Sequence, residues 1–208
     1  MHKAGLPRRL LAEFAGTALL VTVVVGSGIA AAQLSPDDVG SQLLENSTAT
    51  VFGLAVLILM FGPVSGAHFN PVVTAADWLL GRRTGTGIDG RDASAYAAVQ
   101  TAVVAAWLAN LMFDRQVFEF SSKDRITTRH LVGELVATAG VIALIFTLAR
   151  TGRAALSAAA VGAYIGSAYW FTSSASFANP AVTIGACSPT RSPASPRARY
   201  PASSSPKS

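Results

Sequence analysis

The chain has 208 residues, 51 % of them hydrophobic and only 13 % charged, against about 25 % charge in a soluble globular chain, so the composition excludes an ordinary soluble domain and points to a membrane protein. The net charge of +5 comes largely from Arg191, Arg197, Arg199 and Lys207 near the C-terminus, leaving the rest close to neutral, and so signals no nucleic-acid partner. The single cysteine, Cys187, excludes an internal disulfide framework and a Cys-rich metal site.

A membrane-spanning helix takes about 20 mainly apolar residues. Five segments satisfy or nearly satisfy that length: Leu10–Leu34, Thr48–Val64, Ala93–Phe113, His130–Ala149 and Ala154–Thr172. Basic residues precede the first of them, but the run is too long for the apolar region of a signal peptide. It is expected to stay as the first span. The interiors are rich in Ala and Gly, which lets helices approach closely in lipid. A soluble bundle would carry polar stripes, and these runs hardly have any.

The connections orient the spans. Lys3, Arg8 and Arg9 precede the first span, and the loop after it, "SPDDVGSQLLE", holds acids without a base. Arg82, Arg83 and Arg91 follow the second, and Arg150 and Arg153 link the last two. The loop after Phe113 is mixed. Basic residues collect on the cytoplasmic side, so the N-terminus is expected there, in the cell membrane.

The chain repeats itself. "LLAEFAGT" opens the first span and "LVGELVAT" the fourth; "SGAHFNPVV" follows the first copy and "SASFANPAV" the second. Three spans lie between corresponding points, so the two units run in opposite senses, an arrangement of channels and transporters. Each Asn-Pro pair precedes an apolar stretch too short to span, "VVTAADWLL" and "AVTIG". Asn caps a helix and Pro suits its first turn. Each motif therefore reads as the start of a half-helix that re-enters the membrane and stops midway. Irregular backbone at that depth must be buried or line a wet cavity.

These features resemble the two Asn-Pro-Ala boxes of the aquaporin, or major intrinsic protein, family. Here the boxes are Asn70, Pro71, Val72 and Asn179, Pro180, Ala181, and the likeness extends over roughly residues 8–185. The resemblance implies an all-α membrane protein, an inverted repeat with two re-entrant half-helices. Five of the family's usual six transmembrane helices are present. It implies a passive channel, not an enzyme, that takes no cofactor or metal. Its partners would be water, small neutral solutes and the lipid bilayer, and it would assemble as a homotetramer. Asn70 and Asn179 would donate amide hydrogens to the solute. Glu13 and Glu134 match the buried glutamates that brace the re-entrant loops, and a carboxylate in a membrane is expected to be paired or functional. His68 and Gln100 match further loop-bracing positions.

The family's narrow filter usually holds an Arg directly after the second box; this chain has Val182. The other filter positions are counted to Ser176, Ser167 and Phe52. A ring of Phe52, Ser167, Ser176 and Val182 lacks a fixed cation and suits neutral solutes such as glycerol, urea or trihydroxy-arsenic, with or alongside water. The channel domain is drawn at residues 1–187. The Ser-, Pro- and Arg-rich segment 188–208 reads as a disordered tail. The abrupt change of composition there is expected to reflect a reading-frame change or a truncated gene, and a chain without the sixth span is expected to be unstable or to conduct poorly. Two alternatives stand beside the channel. One is a secondary transporter on inverted repeats, which needs ionisable groups near the midplane. The other is a non-conducting subunit that modulates full-length channels.

Overall fold

The first two apolar runs form one long antiparallel pair, the most extensive helix packing among the described residues. In the computed structural model, residues 4–81, 88–101, 105–113, 128–172, 178–180 and 182 are described; among them every regular element is helical. The segment 188–208, together with Ser176 and Ala181, lies outside the described residues.

Helix α1, Leu6–Leu34, starts a little before the predicted span because Pro7 sits in its first turn, where the missing N–H costs nothing. Helix α2, Val39–Ser65, begins well before the predicted Thr48. Asp38 is the reason. Its Oδ1 accepts the backbone N–H of Ser41 at 3.1 Å and its Oδ2 the Ser41 hydroxyl at 2.7 Å, satisfying donors that an uncapped helix leaves open. The polar stretch read as loop is thereby a capped first turn. It folds back on the end of α1: Gln42 donates to the Ser35 carbonyl at 2.6 Å, and the Ser35 hydroxyl donates to Glu45 at 2.8 Å. Helix α2 stops at Gly66, whose φ of 95° suits glycine.

Helix α3, Pro71–Gly81, has 11 residues. At 1.5 Å per residue it reaches about 16 Å, half of a hydrocarbon core about 30 Å thick. Helices α4, Gly90–Thr101, and α5, Ala105–Met112, occupy the third predicted span. Helix α6 is Thr128–Arg150, and a 3₁₀ turn, Ala154–Leu156, leads into α7, Ser157–Phe171. Four described segments are long and apolar enough to cross a membrane: Leu6–Leu34, Val39–Ser65, Leu131–Arg150 and Ala154–Phe171.

Helix α2 lies between α1 and α7; α4 and α5 flank α1, and α3 packs on α4 and touches α6. Small residues set these distances, as in membrane bundles generally. A Cβ on Gly162 would lie 2.8 Å from the Val51 carbonyl oxygen, and one on Gly166 would overlap the Val51 side chain, so α7 packs on α2 through glycine. The core between the helices is built from Val21, Val24, Leu54, Leu57, Phe69, Val141 and Val161. Large apolar side chains such as Leu11, Leu59, Leu131 and Leu135 point outward, as a lipid-facing surface requires.

Candidate functional site

The two Asn-Pro motifs meet. Asn70 donates from its amide nitrogen to the Ala178 carbonyl at 2.7 Å, and Asn179 donates to the Phe69 carbonyl at 2.7 Å. Each Asn therefore bonds the residue just before the other, and the exchange is symmetrical. The residues in question share a backbone conformation: φ is 48° at Phe69 and 44° at Ala178. Left-handed backbone at a non-glycine residue costs about 1–3 kcal/mol and persists only where its surroundings impose it. Here those surroundings include a carboxylate on each side. Glu13 Oε2 accepts the Phe69 N–H at 2.8 Å, and Glu134 Oε2 accepts the Ala178 N–H at 2.8 Å. The repeat seen in the sequence is thus a repeat of hydrogen bonds.

The first motif carries a fuller support. Glu13 is completely buried, and its Oε1 also accepts the His68 N–H at 3.1 Å. Gln100 donates to Glu13 Oε2 at 2.7 Å. The Thr74 hydroxyl joins this group, 3.2 Å from the Gln100 amide oxygen and 3.1 Å from His68 Nδ1. Asn70 Oδ1 accepts the N–H of Val72, which caps α3. Phe69 fits only because α1 offers Gly16; a Cβ there would overlap the Phe69 ring. Pro180 and Val182 are helical, as the start of a second short helix would be.

A cavity of about 200 Å³ runs beside the paired motifs and is lined by both Asn residues. A water needs roughly 10–15 Å³ of such space, so the cavity has room for a file of waters or a small polyol. Its walls follow helical phase. On α2 the lining residues are Thr50, Leu54 and Ile58; on α7 they are Ser157, Val161, Ile165 and Tyr169. Each set is spaced by four, the step that keeps side chains on one helix face. The wall is mostly apolar, with polar groups only at points such as the Thr50–Tyr169 hydroxyl pair, 3.1 Å apart.

The predicted filter ring is only partly placed on this wall. Val182 is buried and lines the cavity. Phe52 does not: it is 68 % exposed on the outer face of α2. Thr50, 1 % exposed, takes the inward place; two residues on, the helix has turned by about 200°. Ser167 is also exposed, and its hydroxyl donates to the Tyr164 carbonyl at 2.7 Å. Ile165 and Tyr169 face the cavity from that helix instead. Ser176 lies outside the described residues.

A second group was not foreseen from the sequence. Arg9 binds Asp92 at 2.7 Å and donates to the Tyr96 hydroxyl at 2.9 Å, and Tyr96 donates to the Ser65 carbonyl at 2.9 Å. It ties α1 and α4 to the end of α2, beside the first motif. Tyr96 also meets the His68 ring edge-on, with centroids 5.5 Å apart. The available signal was that Tyr96 lies four residues before Gln100 and therefore on its face.

Residues 1–176 match the model of the family described as Major intrinsic protein. The chain is 45 % identical over 186 residues to aquaglyceroporin AqpS of Rhizobium meliloti, covering 88 % of this chain and 77 % of that protein. It is 35 % identical over 118 residues to the glycerol uptake facilitator protein of Pseudomonas aeruginosa, covering 56 % of this chain and 39 % of the relative. To aquaporin NIP1-1 of Oryza sativa subsp. japonica it is 33 % identical over 166 residues, covering 76 % of this chain and 55 % of that one. With the family model matching most of its length, the chain belongs to the major intrinsic protein family.

Proposed function

We propose that the protein is a passive channel through which water and small neutral solutes move in single file past Asn70 and Asn179. The observation that carries this reading is the reciprocal bonding of the two motifs at the wall of the cavity. An amide nitrogen has two hydrogens. One on each Asn fixes the opposite motif, and on Asn70 the second is available to a solute oxygen. Helix α3 acts as a re-entrant half-helix whose positive end faces the midplane, where it opposes cations, and the short apolar stretch after Asn179 is its expected counterpart in the second repeat. Glu13 and Glu134 brace the loops; His68 and Gln100 complete the brace on the first side. Thr50, Tyr169 and Val182 form the constriction. Without an Arg it selects neutral solutes such as glycerol, urea or trihydroxy-arsenic, and the names of the relatives support glycerol first. The channel sits in the cell membrane with its N-terminus in the cytoplasm, and four copies assemble, each with its own pore.

The test is stopped-flow light scattering on vesicles that contain the purified chain, under glycerol and osmotic gradients in parallel. Glycerol and water flux above that of empty vesicles is expected. Flux equal to empty vesicles, with the protein shown to be inserted, would refute the proposal.

A further inference from the structure

One charged group on the cavity wall has no part in the bracing or in the constriction. Asp77 lies on α3 four residues beyond Val73, on the same face, and both line the cavity. Its Oδ2 accepts the Ile88 N–H at 3.0 Å, so the carboxylate is tethered in place. Among the described lining residues it is the only Asp, Glu, Lys or Arg. Ala149, at the end of α6, and Ser157, at the start of α7, line the cavity too, and Arg150 is exposed directly after Ala149.

The remaining electrostatics pose a problem that Asp77 answers. The N-terminus of α3, at the paired motifs, makes that point attractive to anions. An uncharged constriction carrying Val182 offers no opposition to a small anion beyond its size. A single carboxylate on the path, between apolar walls of low dielectric, acts on a passing anion far more strongly than it would in water. We infer that Asp77 is a specificity-determining residue that bars small anions from the cavity. The N-terminal end of α3 opposes cations, Asp77 opposes anions, and neutral solutes pass both. This inference rests on the cavity being the conducting pore.

The experiment uses vesicles that contain the full chain, a halide-sensitive dye inside and valinomycin with potassium to hold the membrane potential at zero. Chloride entry and glycerol flux are measured on the same preparation for the unsubstituted chain, Asp77→Asn, Asp77→Glu and Asp77→Ser. Asn keeps an oxygen for the Ile88 N–H, so the tether survives while the charge goes. The unsubstituted chain and Asp77→Glu should pass glycerol and admit chloride no faster than empty vesicles. The ratio of chloride to glycerol flux should rise about tenfold or more in Asp77→Asn, a change of about 1.4 kcal/mol in barrier. Asp77→Ser is the second test of the same point if the Asn variant fails to insert. An unchanged ratio in a neutral variant that still passes glycerol overturns the role of Asp77 alone. Glycerol flux equal to empty vesicles in the unsubstituted chain overturns the pore reading and this inference with it.

Discussion

Glu13 satisfies three donors with two oxygens: the N–H groups of His68 and Phe69 and the amide of Gln100. Glu13→Gln has one oxygen and brings two hydrogens of its own. Whichever way its amide is turned, at least one buried donor, the His68 N–H or the Phe69 N–H with the Gln100 amide, then meets an NH2 instead of an acceptor. Each orphaned group costs about 1–3 kcal/mol. The expected result is a lower thermal midpoint in detergent and a loss of most glycerol flux, because Phe69, whose carbonyl receives Asn179, is released. Unchanged flux in Glu13→Gln would remove the bracing role. Gly16→Val tests the same point from the other side: its side chain displaces the Phe69 ring, so flux should fall while the carboxylate network keeps its chemistry. Glu13, His68 and Gln100 were singled out through the family resemblance, and the structure brings the three together at the first motif. Phe52 could not be separated from Thr50, since that choice depends on the phase of α2, and a run apolar all round carries no phase signal. The Arg9–Asp92–Tyr96 group was illegible for another reason: its members come from distant parts of the chain and meet only when α1 packs on α4.

At the scale of elements, the spans were legible and their ends were not. Apolar length identifies α1, α2, α6 and α7, but the start of α2 is set by a side chain. Asp38 is fully exposed, and its pKa lies below the ordinary carboxylate value because the Ser41 hydroxyl and N–H bond its charged form. A depressed folded-state pKa contributes stability that is present above the ordinary carboxylate pKa and is lost as pH falls through the lower folded value. The cap of α2 should therefore weaken in acid. Asp38→Asn retains a good capping side chain and removes the titration. Thermal midpoints measured from neutral pH down to about pH 3 should fall less steeply in Asp38→Asn than in the unsubstituted chain; parallel curves would mean that this cap does not contribute. Helix α3 shows the opposite case. Its shortness was readable from "VVTAADWLL" before Arg82 and Arg83, and its position was fixed by Asn-Pro, since Pro71 can only begin a helix without loss.

At the scale of the whole molecule, the two halves meet through matched parts, and the match decides between a channel and a coupled transporter. A coupled transporter needs an ionisable group near the midplane that can load and release an ion. Among the described residues, the carboxylates that reach the paired motifs are those of Glu13 and Glu134, and both hold backbone N–H groups of the loops they support. Loading either with a proton or a metal ion would break the bonds that keep Phe69 and Ala178 in place. Asp77 lies about 9 Å further along α3 than its first residue, too far from the paired Asn residues to couple there. Flux should therefore follow the solute gradient alone. In vesicles, glycerol movement should be equal with and without an imposed pH or sodium gradient, should run equally well in both directions, and should stop when inside and outside concentrations match. Accumulation of glycerol against its own gradient on imposing a proton or sodium gradient would contradict this, and would turn the bracing carboxylates into coupling sites.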